Sequence, residues 1–268
     1  MLHKRIKNAV LSALEAPEAD EVLKLNSALR TLSKWRSVLI QNTLLQTQGT
    51  LVIQGPLAGM DFLHESAEGC HIAKLLECYE QPLQPFIAQA IATGYPTVLN
   101  IGCAEGYYAV GMARRMPTTQ FFAHDLNLKA QQICADLARK NQVADRVSVS
   151  GLFSAADFAA YAGQQVLVLC DIEGAERELL NPEIAPALCG MDLIVESHEC
   201  LIPGITQLLI DRFKGSHHIT LVQDDGQRRL EKAPQWFLNL AHLDQLLATW
   251  EWRSGPTPWL VMKSKQRQ

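Results

Sequence analysis

The sequence predicts an α/β fold, an open doubly wound sheet with helices on both faces, on three observations. Short apolar runs of strand length alternate with amphipathic stretches of helix length from residue 97 onward. The first run, Val98 to Ile101, breaks at Gly102 and gives way at Glu105-Gly106 to a segment suited to a helix through Met116. About twenty residues further on, a second run ends in His124-Asp125, placing an acid where a nucleoside-binding βαβ unit needs one.

In chain order, Ile6, Val10 and Leu14 recur at helical spacing ahead of Pro17. Asp20 suits an N-cap, and Val22, Leu25, Leu29, Leu32 and Leu39 repeat three and four apart along a longer amphipathic helix. These segments make an N-terminal helical extension, residues 1–50, ahead of one α/β domain over residues 51–268. The apolar faces of the extension need a partner: the domain itself or, given the short a/d-like pattern from Val22 to Leu32, a second copy in a homodimer. Thr50 to Ile53 reads as a short strand before the turn-rich Gly55 to Met60. Beyond the first strand and helix, strands are expected at 120–123, 146–149, 166–170, 193–195 and 218–222, with helices at 128–141, 154–161, 175–180 and 204–214. Strands separated by helices in this way demand a parallel sheet. An insertion of about residues 223–257 follows, helical over 236–250 with a strand end and turn over 250–256, and Trp259 to Met262 is the last apolar run.

Size and charge limit the classes of function. A chain of 268 residues, 48% of them hydrophobic, has enough apolar content for one sizeable domain plus an appendage. A net charge of -4 without a long Lys/Arg block lacks the footprint of a nucleic-acid binder, which favours a small-molecule partner. Cysteines at 70, 78, 103, 134, 170, 189 and 200 show no C-x-x-C spacing, as expected of reduced thiols in the cytoplasm rather than a disulfide framework or a zinc site. No apolar run reaches the length of about 18 residues that a membrane span needs, and no secretory leader is expected.

Ligands of an open parallel sheet gather outside the carboxyl ends of its strands. Those ends deliver Gly102 to Gly106, then Asp125 and Leu126, Gly151 with Leu152 and Phe153, Asp171 with Glu173, and Glu196 with His198. Glycines at 102 and 106 clear side chains from where a ligand approaches, and the N–H groups of the helix start can hold an anion. Asp125 suits ribose hydroxyls, and Leu152 and Phe153 can wall an adenine above Gly151. His198 is the candidate general base, since an ordinary imidazole pKa of about 6.5 leaves it neutral at pH 7. Glu196 is its candidate orienting partner, with Asp171 and Glu173 completing the catalytic set. No metal is expected, because Asp171, Glu196 and His198, the one competing cation set, lack a compact ligand spacing.

Val98 to Gly106 together with Asp125 resembles motif I and the acidic position of class I S-adenosylmethionine-dependent methyltransferases. Two further stretches, Leu169-Cys170-Asp171-Ile172-Glu173-Gly174-Ala175-Glu176 and Lys74-Leu75-Leu76-Glu77-Cys78-Tyr79-Glu80, are similar to the D-x-E-G-A-E and K-L-L-x-x-Y-E segments of FkbM-like methyltransferases. The likeness covers residues 55 to 262, with two departures: Asn100 stands where motif I usually begins with an acid, and Ala104 replaces its central glycine. It implies a Rossmann-like sheet of seven strands, six parallel and one antiparallel, the last supplied by Trp259 to Met262. It further implies S-adenosylmethionine as cofactor and S-adenosylhomocysteine as product. The cofactor would be held by Tyr79, Glu80, Asn100, Gly102, Cys103, Ala104, Glu105, Gly106, Asp125, Leu126, Gly151, Leu152, Phe153 and Asp171. The implied reaction is O-methylation of a small metabolite or sugar-like acceptor. Two other readings remain at this stage: an NAD-dependent enzyme, opposed by the absence of G-x-G-x-x-G in the first turn, and a catalytically inactive nucleoside-binding or scaffold protein.

Overall fold

A computed structural model describes residues 2–17, 20–64 and 70–267. Two helices come first, α1 (Leu2–Leu14) and α2 (Glu21–Gln48), and Asp20 caps α2 by accepting the Leu23 N–H at 2.7 Å. Helices α3 (His71–Leu75) and α4 (Gln84–Thr93) lead into the sheet. Alternating elements follow: β1 (Thr97–Ile101), α5 (Tyr107–Arg115), β2 (Gln120–His124), α6 (Leu128–Lys140), β3 (Val147–Ser150) and β4 (Val166–Cys170). Then come α7 (Glu176–Leu179), β5 (Asp192–Glu196), α8 (Ile205–Phe213) and β6 (His217–Val222). Helices α9 (Gln235–Leu238) and α10 (His242–Thr249) precede β7 (Trp259–Ser264).

The sheet has seven strands in the order β3-β2-β1-β4-β5-β7-β6. Strands β1 to β5 pair in parallel, while β7 runs antiparallel to both β5 and β6, so six strands share one direction and one opposes them. The order reverses between β1 and β4, the crevice where open α/β sheets take their ligands. Every residue of β4 and β5 is buried, which is why Val166 to Cys170 and Leu193 to Val195 read as continuous apolar runs instead of alternating ones. One face packs Val98, Val110, Met112, Phe121 and Ile194 in its core; the other packs Leu99, Phe158, Val168, Leu193 and Phe213.

Three expectations change. Thr50 to Ile53 is not a strand: only Leu51 makes a bridge, to Asp61, because the chain turns back through left-handed Gly55 and Gly59. The helix expected over 236–250 is split into α9 and α10. Residues 250–256 form no strand, since Arg30 of α2 takes the carbonyls of Trp252 and Arg253 at 2.5 and 3.2 Å. Trp252 has φ +66, a strained value for a large side chain.

The helical extension is anchored to the domain. Ala28, Ser37, Ile40, Gln41 and Leu44 of α2 are buried, and α2 packs against α3 and α10, while α1 folds back on α2. Val22, Leu25 and Leu29 stay more than half exposed. Among the described residues, no helix is long and apolar enough to cross a membrane. All seven cysteines are free.

Glu77 illustrates how a buried acid is tolerated near the Gly55 turn. Its carboxylate accepts the Leu57 N–H at 2.6 Å, and a Cβ on Gly55 would lie 2.6 Å from its Cδ. Burial pushes the Glu77 carboxyl up to about 8, outweighing that hydrogen bond and the attraction of Arg115. The folded chain therefore holds a proton that the unfolded chain releases above its usual 4.5, so stability falls as pH rises from about 4.5 to about 8. Glu77→Gln is expected to remove a pH-dependent loss on the order of a few kcal/mol. Denaturant unfolding at pH 5 and pH 8.5 checks this; an unchanged pH dependence in the variant would refute it.

Candidate active site

A cleft of about 440 Å³ opens at the carboxyl ends of β1 to β4. Gly102, Asp125, Leu126, Gly151, Leu152, Phe153, Asp171 and Glu173 all line it, together with His124, Ile172 and Leu179. Leu126 and Leu152 are 75% and 74% exposed, an apolar pair left facing water at its edge. The His124 ring packs edge-on against Phe153, 4.8 Å between centroids, so the base of the cleft is aromatic.

The loop after β1 is tied from beneath. Gly102 and Cys103 donate their N–H groups to the His124 carbonyl, and Ala104 donates to Asp125 Oδ2 at 2.9 Å. Asp125 Oδ1 accepts from Asn127 N at 2.8 Å. Each oxygen thus keeps acceptor capacity for a ligand. The two loop glycines are required by the chain itself, which revises the reason expected for them. A Cβ on Gly102 would lie 1.6 Å from the Asp171 carbonyl oxygen, and one on Gly106 would lie 2.6 Å from Cys134 Sγ. Both glycines adopt positive φ. Ala104, in place of the usual glycine, also sits at φ +44, at a strain cost of about 1–3 kcal/mol.

Tyr79, Glu80, Asn100, Cys103, Ala104, Glu105 and Gly106 are not among the residues lining the cleft. Glu105 is fully buried in an ion pair with Lys74, whose ammonium also lies 4.9 Å from the Tyr79 ring centre. Asn100 is buried in β1, and its Oδ1 has no hydrogen-bond partner among the described residues. Glu80, at φ +49, accepts from the Tyr108 hydroxyl and pairs with Arg253 Nη2 at 2.6 Å.

Beside the cleft, the ends of β4 and β5 bring the candidate catalytic residues together. His198 is buried, with Nε2 at 3.4 Å from Asp171 Oδ1, 3.6 Å from Glu173 Oε2 and 3.9 Å from Glu196 Oε2. Its Nδ1 meets Glu176 Oε1 at 3.0 Å. Glu196 is therefore not the partner that orients the imidazole; its other oxygen is paired with Arg253. Burial works against the imidazolium, but the Glu176 hydrogen bond and the Glu196 charge outweigh it and raise the His198 pKa above 6.5. Burial and the neighbouring Glu196 and Glu80 carboxylates push Asp171 well above the usual carboxylate range. Ligand atoms of Asp171, Glu196 and His198 lie within 4.8 Å of one another, a convergence that residue spacing did not reveal.

Arg253 is the rim residue that sequence reasoning missed. It joins Glu80, Glu196 and Glu251, and its placement depends on the Arg30 contacts that hold residues 252–253. Nothing local marks it; residues 250–256 read only as a strand end and turn. Glu176 was visible only as the last residue of the D-x-E-G-A-E segment.

The strand order, the antiparallel β7 and the cleft at the switch point define the Rossmann-like methyltransferase fold. No family model matches the chain, and comparison with curated proteins finds no match. Solved structures do resemble it. The O-methyltransferase TomG from Streptomyces achromogenes, involved in tomaymycin synthesis and in complex with SAM, is 13% identical, with TM-score 0.48 over 98% of this chain and 99% of that one. The O-methyltransferase from Bacillus cereus in complex with SAH is 12% identical, with TM-score 0.46 over 99% and 100%. Human methyltransferase 10 domain containing protein is 10% identical, with TM-score 0.47 over 87% and 97%. At these scores the likenesses carry no argument about substrate or site.

Proposed function

We propose that this chain is an S-adenosylmethionine-dependent methyltransferase of FkbM-like type, passing a methyl group to an oxygen of a small metabolite or sugar-like acceptor. The observation that supports this most is the cleft at the β1/β4 switch point, which joins an acid at the end of β2 to an apolar wall after β3. Its volume lies within the range of about 300–1,000 Å³ typical of small-ligand pockets. A dinucleotide-binding sheet of order 3-2-1-4-5-6 has no antiparallel strand wedged between its fifth and sixth strands, whereas here β7 sits there.

The residues fit the cofactor. Asp125 would accept hydrogen bonds from the ribose, Leu126, Leu152 and Phe153 would flank the adenine, and Gly151 would leave room for it, all of them lining the cleft. S-adenosylmethionine, when bound, supplies an electrophilic methyl group on a sulfonium whose departure needs no acid. The work left to the protein is alignment and removal of the acceptor proton. His198 Nε2 takes that proton, and Glu173 and Glu196 stabilise the resulting imidazolium.

Titration calorimetry with S-adenosylmethionine and S-adenosylhomocysteine tests the reading, with both expected to bind. Binding of NAD alone would favour an oxidoreductase; binding of none would favour a non-catalytic scaffold. Turnover on a metabolite panel, read as S-adenosylhomocysteine release, is expected to survive exhaustive chelation. Loss of turnover on chelation, restored by a divalent ion, would place a cation at Asp171, Glu196 and His198.

We extend the proposal to the cytoplasm, where seven free thiols stay reduced, and to a homodimer through the exposed Val22, Leu25 and Leu29 of α2. Deleting the extension would strip Ile40 and Leu44 from the core, so surface substitutions test it better. V22K/L25E/L29K is expected to halve the mass seen by sedimentation. A wild-type chain that sediments as a monomer would end the dimer reading.

A further inference from the structure

We propose that Glu176 is a positioning residue for the proton transfer: its carboxylate holds His198 in the tautomer that carries hydrogen on Nδ1 and presents the Nε2 lone pair to the acceptor. The inference rests on the methyl-transfer reading above, in which His198 is the base. Glu176 opens the four-residue helix α7 and is fully buried. Its Oε1 accepts the Ile172 N–H at 2.8 Å and meets His198 Nδ1 at 3.0 Å. A backbone N–H can only donate, so Oε1 acts as an acceptor there, and the imidazole nitrogen sharing it donates as well. That leaves Nε2 as the basic nitrogen, in a pocket of oxygens none of which is nearer than 3.4 Å.

The backbone is shaped to produce this contact. Glu173 and Gly174 are both left-handed, at φ +55 and +99, and they turn the chain so that residue 176 reaches back to the amide of residue 172. Gly174 lies at a φ that L side chains rarely adopt, so the turn favours glycine there; Ile202 Cδ1, 2.7 Å from where a Cβ would lie, is the end of a side chain that can move. Glu173, a non-glycine in the same conformation, carries strain of about 1–3 kcal/mol next to the reacting centre.

In the step itself the acceptor O–H bond breaks and its proton goes to Nε2. The electron pair stays on oxygen and forms the new bond to the methyl carbon, and the S–C bonding pair passes to sulfur. The positive charge gained by His198 faces Glu176 on one side and Asp171, Glu173 and Glu196 on the other, with Arg253 beyond Glu196. Glu176 alone bonds to the imidazole through the nitrogen that does not react.

Two measurements test the proposal. Nitrogen-15 NMR of the wild-type protein, recorded without cofactor, is expected to show His198 protonated at Nδ1 when neutral; an Nε2–H tautomer overturns the inference whether or not methyl transfer is ever found. Glu176→Gln keeps an acceptor oxygen but removes the charge. It is expected to lower kcat on the order of 10²-fold and shift the acid limb of the pH profile downward. Cofactor affinity should stay unchanged, and the variant should cause no added loss in a His198→Ala background. An E176Q variant with wild-type kcat and an unmoved acid limb overturns the inference, and so does a full additive loss in the double variant. Should the chain bind no S-adenosylmethionine, the methyltransferase reading fails while the tautomer result still decides the Glu176–His198 pairing.

Discussion

Replacing His198 by alanine is expected to cut turnover about 10²- to 10⁴-fold while leaving S-adenosylmethionine affinity unchanged. The cofactor side of this expectation follows from position: His198 is not among the residues lining the 440 Å³ cleft, whereas its Nε2 lies 3.4 Å from Asp171, which is. The rate effect follows from the surroundings. The Glu176 hydrogen bond and the Glu196 and Glu173 charges raise the proton affinity of the imidazole above that of an ordinary histidine, so the group is a better base but is neutral only at higher pH. Turnover should therefore climb as pH rises through a value above 6.5 and then level off. The same raised pKa makes this histidine's contribution to stability fully present below 6.5, the ordinary value, and lost as pH rises through the folded-state pKa. Steady-state kinetics from pH 5.5 to 9 with calorimetry on both proteins would check these points. Full activity of His198→Ala at neutral pH would move the base elsewhere, with Glu173 the nearest alternative.

Asp125→Ala is expected to weaken cofactor binding by about 10- to 100-fold, the equivalent of one hydrogen bond to a charged acceptor at about 1.5–3 kcal/mol. Part of that loss is indirect, because Asp125 also holds Ala104 N and Asn127 N at 2.9 and 2.8 Å. Ala104 sits at φ +44, a conformation an unbraced loop would tend to leave. Asp125→Asn loses the charge but keeps one acceptor oxygen for the two loop N–H groups, so its affinity should fall between wild type and Asp125→Ala. Thermal unfolding of both variants shows how much of the effect is loop stability. Unchanged affinity in Asp125→Ala would remove the ribose assignment.

Much of the sheet was legible because its information is local. Val166 to Cys170 and Leu193 to Val195 are buried on both faces, and burial on both faces leaves an unbroken apolar run in the sequence. The turn at Gly102 and the acid at 125 were legible for a related reason: the carboxyl ends of parallel strands are where such folds hold ligands. Thr50 to Ile53 misled because a short β-branched stretch resembles a strand whether or not a neighbour pairs with it, and here the Gly55 and Gly59 turns leave room for a single bridge. The glycines at 102 and 106 were located correctly and explained wrongly. A sequence shows that a side chain is missing but not that Asp171 and Cys134 occupy the space.

By itself the sequence determined the alternating α/β order, the strand ends and the set of acids and histidine they carry, since periodicity and turn chemistry act over a few residues. Only the tertiary structure decided how those groups pair. Glu176 binds His198 across 22 residues, while Arg253 reaches Glu196 across 57 and Glu80 across 173. Ion pairs and hydrogen bonds depend on distance in space, and separations of that size are closed by the packing of the sheet and of α2, which no local pattern records.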